Sequence, residues 1–148
     1  MTHRRVLLAA AVLALSTAAR AADPGAEFAE KAAKEKGAVK TASGLVYKSL
    51  KEGTGPQPTS SSTVKVNYKG TFIDGKVFDA SDKHGGPATF PLNQVIRCWT
   101  EGVSMMKVGG KARLVCPSRI AYGPSGAGNV IPPNATLVFE VELLDIVK

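Results

Sequence analysis

Histidine and cysteine are nearly missing from this chain, with two of each in 148 residues. The cysteines stand 18 positions apart, and His84 is the only histidine beyond the first few residues. No pair therefore has the spacing of metal ligands, and no metal site is expected. Nucleophilic hydrolysis is equally unsupported, because there is no Gly-x-Ser-x-Gly and too little histidine for a triad. The glycine-rich stretch Gly123 to Gly128 lacks the Lys-Ser/Thr ending of a phosphate loop. Long apolar runs are missing too: the longest, Val6 to Leu15, falls well short of the roughly 20 residues a spanning helix needs. Basic residues outnumber acids by 19 to 12 but form no long run, which argues against nucleic acid as a partner. Any chemistry here is expected to need neither a cofactor nor strong acid-base groups.

The first residues have the layout of an export signal: His3, Arg4 and Arg5, then the apolar run, then a small-x-small site at Ala19-Arg20-Ala21. Residues 1–21 are read as that signal, and the chain as periplasmic, with secretion to the exterior as the alternative. No cysteine adjoins the cleavage site, so neither a lipid nor another stable membrane anchor is expected. Removing residues 1–21 leaves 127 residues, enough for a single domain. Three of the 19 Lys and Arg and none of the 12 acids go with the signal, which brings the net charge to +4.

Residues 22–42 are read as a helical lead-in. Ala26 to Lys36 is rich in Ala, Glu and Lys, which suits a short solvent-facing helix closed by Gly37. It is too short for a dimerisation stalk, so a monomer is expected. From residue 43 the period changes to two. Leu45 to Leu50, Val64 to Phe72, Lys76 to Ala80, Ala88 to Leu92, Ala112 to Cys116 and Leu137 to Leu143 read as strands, with a turn at Asp74-Gly75. Thr100 to Met106 reads as the one helix among them, stopped near Gly109-Gly110. Several strands and one short helix predict an α+β fold in which a curved antiparallel β-sheet wraps around one short α-helix, preceded by the lead-in.

Aromatics are scarce, at 6% of residues, yet they sit beside β-branched and lone polar groups. Val66-Asn67-Tyr68, Val77-Phe78-Asp79, Val95-Ile96 before Trp99, Ala121-Tyr122-Gly123 and Val130 to Phe139 suggest an aromatic-walled apolar pocket with few titratable groups. Singly, Trp99 and Phe139 read as well as core, Tyr122 as a turn residue, and Asp79 as a solvated cap.

Taken in order, Tyr68, Phe78-Asp79, Phe90, Val95-Ile96, Trp99, Tyr122-Gly123, Ile131-Pro132-Pro133 and Thr136 to Phe139 resemble the signature of FKBP-type peptidyl-prolyl cis-trans isomerases. The resemblance spans residues 43–148, the expected isomerase domain. The lead-in is similar to that of exported bacterial members such as the macrophage infectivity potentiator group, without their long dimerisation region. The resemblance implies Trp99 as the pocket floor, with Tyr68, Phe78, Phe90, Val95, Ile96 and Phe139 as walls. It implies that the Ile131 amide and Tyr122 hydroxyl hold the carbonyls of the bound peptide, with Asp79 at the rim. Implied partners are prolyl segments of unfolded exported proteins and macrolide inhibitors; the rival function is a non-catalytic holdase using the same groove.

This chain departs from the family pattern at Ala88, Cys98 and Ala127, which leaves the pocket expected to be more open on one side. His84 falls where relatives often place a basic residue near the rim aspartate; contact with Asp79 and a solvated loop position are both open. Cys98 and Cys116, an even pair in an oxidising compartment, are expected to form a disulfide, the alternative being two buried free thiols.

Overall fold

A computed structural model describes residues 23–147; the expected signal segment lies outside them. The fold is the expected one. Seven antiparallel strands form one sheet: β1 (Ala38–Lys40), β2 (Val46–Lys51), β3 (Thr63–Phe72), β4 (Val77–Ala80), β5 (Ala88–Pro91), β6 (Lys111–Cys116) and β7 (Leu137–Val147). Their spatial order is β1-β2-β6-β7-β3-β4, with β5 also paired to β3. β3 and β7 are paired over ten registered positions, and a register shift between Lys65 and Val66 bends that pair. β4 and β5 share one edge of β3, against Lys69–Thr71 and Thr63–Val66 respectively.

Alternation sends Val64, Val66, Ala112, Leu114, Cys116, Leu137, Phe139, Val141 and Leu143 to the inner face, where all are buried. There they meet the helix α2 (Arg97–Ser104). α2 begins three residues before the expected Thr100, because Cys98, Trp99, Gly102 and Val103 form the apolar stripe of a helix and all four are buried. Thr100 lies in its first turn, where its hydroxyl donates to the Leu92 carbonyl at 2.5 Å. Gly102 lets the helix touch the sheet, since a Cβ there would come within 2.8 Å of both Leu114 methyls. Cys98 and Cys116 are bonded as a disulfide, Cα atoms 5.8 Å apart, tying α2 to β6.

The lead-in differs from its expected form. Its helix, α1, runs Pro24–Ala33, with Asp23 as N-cap accepting the Ala26 N–H at 3.1 Å. It faces solvent on one side only: Ala32 is buried against Val46 and Val115, with Phe28, Ala29, Ala33 and Val138 packed around them. The Ala-Glu-Lys composition masked the stripe Phe28, Ala29, Ala32, Ala33, which is apolar at helical spacing though small. Beyond α1, Glu35 accepts from Lys48 at 3.3 Å and from Arg113, clasping the lead-in to β2 and β6. Ala38–Lys40 then joins the sheet as β1, a strand too short for its period to show in the sequence.

Candidate active site

Between the open edge of the sheet and the start of α2 lies a cavity of about 500 Å³, lined by Tyr68, Phe78, Asp79, Phe90, Gln94, Val95, Ile96, Trp99, Tyr122 and Phe139. Each element supplies its part. β3 carries Tyr68, β4 carries Phe78 and Asp79, β5 carries Phe90 and β7 carries Phe139. Val95 and Ile96 lead into α2, whose first turn holds Trp99. Tyr122 comes from the loop between β6 and β7.

The rings brace one another. Trp99 meets Tyr68, Phe90 and Phe139 edge to face, at centroid distances of 5.4, 5.5 and 5.5 Å, the geometry favoured by aromatic quadrupoles. Phe78 packs on Phe139 at 5.6 Å and Phe72 on Phe78 at 5.0 Å. This arrangement requires a residue without a side chain at Gly70, where a Cβ would lie 2.6 Å from Phe78 Cζ and 2.9 Å from Phe139 Cε1.

Asp79 is the only charged residue in the lining, and it is held on both oxygens. Tyr68 donates its hydroxyl to Oδ2 at 2.8 Å. Oδ1 accepts from the Ala80 amide at 2.9 Å and from His84 Nε2 at 2.8 Å. Burial pushes the Asp79 carboxyl up, but the bonds from His84, Tyr68 and Ala80 outweigh it and hold its pKa below the ordinary value. Burial, then the bond to Asp79, pushes the Tyr68 phenol up to about 12. Burial and then the charge of Asp79 also raise the pKa of Tyr122. Both phenols therefore keep their protons and remain donors.

Ile131 is absent from this cavity's lining, although it shares a core cluster with Trp99 and Phe139. Its side chain is buried in the main core, and its amide donates to the Ala127 carbonyl at 3.0 Å while Ala127 N–H donates to the Ile131 carbonyl at 2.9 Å. This closed pair leaves the Ile131 amide engaged within the loop, whereas the resemblance implied that it holds a carbonyl of the bound peptide. Gln94 also lines the cavity, and in the sequence only its place directly before Val95-Ile96 signals it. His84 does contact Asp79, closing the alternative of a purely solvated residue.

Among the described residues, no three His, Cys, Asp or Glu side chains are grouped to hold a metal ion, and no helix is long and apolar enough to cross a membrane. A second cavity of about 520 Å³ lies between α1 and the loop after β6, lined by Asp23, Glu30, Lys40 and Arg119 among others. It has no aromatic wall.

A family model described as FKBP-type peptidyl-prolyl cis-trans isomerase matches residues 55–144. The chain is 54% identical over 122 residues to FkpA, an FKBP-type peptidyl-prolyl cis-trans isomerase of Escherichia coli K12, a match covering 82% of this chain and 45% of that protein. It is 46% identical over 112 residues to the outer membrane protein MIP of Legionella longbeachae, covering 76% of this chain and 48% of the relative. The chain thus spans about half the length of the curated relatives it matches. The crystal structure of Escherichia coli FkpA superposes with a TM-score of 0.81 at 49% identity, over 97% of this chain and 67% of that one. With the pocket's residues in the family's order and the fold in common, this chain belongs to the FKBP-type peptidyl-prolyl cis-trans isomerase family.

Proposed function

We propose that this chain accelerates cis-trans isomerisation of Xaa-Pro bonds in other exported proteins. The observation that carries the reading is the aromatic cavity of about 500 Å³ with a single charged residue in its lining. Rotation about a peptide bond faces a barrier of about 18–20 kcal/mol because resonance makes the planar amide rigid and dipolar. An Xaa-Pro bond therefore exchanges only over tens to hundreds of seconds unaided. Twisting the bond destroys the resonance and reduces the dipole. A water-poor pocket disfavours the dipolar planar form, and its shape selects the twisted prolyl amide over the planar one. No covalent intermediate or cofactor enters this route.

The residues take roles in that scheme. The proline ring rests on Trp99, enclosed by Phe78, Phe90, Val95, Ile96 and Phe139. Tyr122 donates its hydroxyl to a carbonyl of the bound peptide, a role its retained proton supports. Asp79, fixed by Tyr68 and His84, places a localised negative charge beside the twisting amide. The Ile131 amide takes part only by sharing its hydrogen with Ala127 or by opening of that turn. Macrolide inhibitors fit the same apolar walls. The signal-like leader supports a periplasmic location.

A refolding assay limited by proline isomerisation separates this reading from its rival. The proposed isomerase shortens the slow phase at catalytic ratios. A holdase suppresses aggregation and leaves that phase unchanged, and this second result would exclude isomerisation as the function.

A further inference from the structure

His84 is the one histidine among the described residues, and the fold places it at the rim of the prolyl pocket. Its Nε2 lies 2.8 Å from Asp79 Oδ1. A carboxylate oxygen only accepts, so Nε2 carries the hydrogen and donates it. That is true of both charge states: the neutral ring leaves Nδ1 bare, and the imidazolium protonates it as well. Proton uptake therefore adds one positive charge to the rim while the bond to Asp79 stays in place. The side chain is 61% exposed, which leaves the ring open to protons from solvent.

The groups around the pair do not blur this effect. The short 3₁₀ turn Ser81–His84 also carries Asp82 and Lys83. β4 contributes Asp79, β3 contributes Tyr68, bonded to Asp79 at 2.8 Å, and the loop after β6 contributes Tyr122, whose pKa is raised by burial and by the charge of Asp79. Among these residue types, histidine alone changes charge between pH 5 and 8.

We propose that His84 is a specificity-determining residue: through its charge it sets the field that the pocket rim presents to residues flanking the proline. With the ring neutral, Asp79 leaves the His84–Asp79 pair with one net negative charge, which favours peptides with cationic flanks. With the ring as imidazolium, that charge is cancelled and the preference disappears. This inference rests on the prolyl-peptide reading of the pocket. A partly exposed charge contact of this kind changes affinity by about threefold.

The test uses two short peptides alike except for Lys or Gln just ahead of the residue that precedes proline. Binding is read from the fluorescence of Trp99, the chain's only tryptophan, and turnover from exchange spectroscopy, at about pH 5.5 and about pH 8. Wild type should show a Lys-to-Gln preference about threefold larger at the higher pH. His84→Gln should keep the larger preference at both pH values, and His84→Arg the smaller. A flat preference in wild type, or the same rise in His84→Gln, overturns the proposal while leaving the pocket's function intact. Peptides that neither bind nor exchange at either pH overturn the prolyl-peptide reading itself, and this inference with it.

Discussion

Gly70 shows how much a pocket of rings depends on a residue with no side chain. Its position faces Phe78 and Phe139 so closely that Gly70→Ala has to displace one of them. We predict a loss of about 1–3 kcal/mol in stability, the usual cost of overpacking, together with weaker peptide binding. Trimming the neighbour in Gly70→Ala/Phe78→Leu should restore part of the stability; denaturant midpoints and binding titrations check both. Tyr122→Phe should weaken catalysis modestly, by about 0.5–1.5 kcal/mol for one lost hydrogen bond, whereas Trp99→Ala should cost about 3–5 kcal/mol of stability as the floor is lost. Equal kcat/KM in folded wild type and both variants would contradict the roles given to these residues. The walls were legible because aromatic and β-branched residues stood beside lone polar groups in a fixed order. Gln94 was not, since a glutamine before Val95-Ile96 has no pattern that distinguishes a pocket from a surface. Nor was the closed Ala127–Ile131 pair, which depends on a backbone bond and not on side-chain type.

The strands of period two could be read because one face is buried and the other wet, so Val64 and Val66 or Leu137, Phe139 and Val141 mark their own register. α1 and β1 escaped the same reading. α1 is held by alanines, whose burial leaves little contrast in composition, and β1 is three residues of edge pairing. The clasp at Glu35 is testable through pH. Its hydrogen bond from Arg113, against a smaller desolvation cost and with help from Lys48, lowers the Glu35 pKa from the ordinary glutamate value. A depressed carboxylate stabilises the fold above the unfolded value of about 4.3 and loses that contribution as pH falls through its folded value. Glu35→Gln should therefore be less stable than wild type near neutrality, and the gap should shrink as pH falls below the unfolded glutamate value. A gap unchanged over that range would rule out the clasp as an ionic contact. The disulfide from α2 to β6 makes a separate prediction. Reducing it, or replacing Cys98 and Cys116 with alanine, should lower stability by about 3 kcal/mol for a loop of this size. Reactivity of both thiols before any reductant is added would show that the bond is absent from the protein.

As a whole, the molecule is one sheet that buries a two-turn helix on its inner face and leaves the end of that helix open, so that Trp99 closes a cavity from below. Among the described residues no three His, Cys, Asp or Glu side chains are grouped to hold a metal ion, and the account assigns rate acceleration to enclosure of a twisted amide, aided by the Tyr122 hydroxyl and the fixed charge of Asp79. That is its central claim. It is tested most directly by measuring, through magnetisation exchange, the cis-trans interconversion of a short Xaa-Pro peptide with the folded protein in the presence of a chelator. The account predicts that exchange, which takes tens to hundreds of seconds unaided, becomes much faster with the folded wild-type chain and slows again with Phe139→Ala variants that remain folded. Folded wild-type protein that leaves the exchange rate at its uncatalysed value, or that accelerates it only after a metal is restored, would contradict the account.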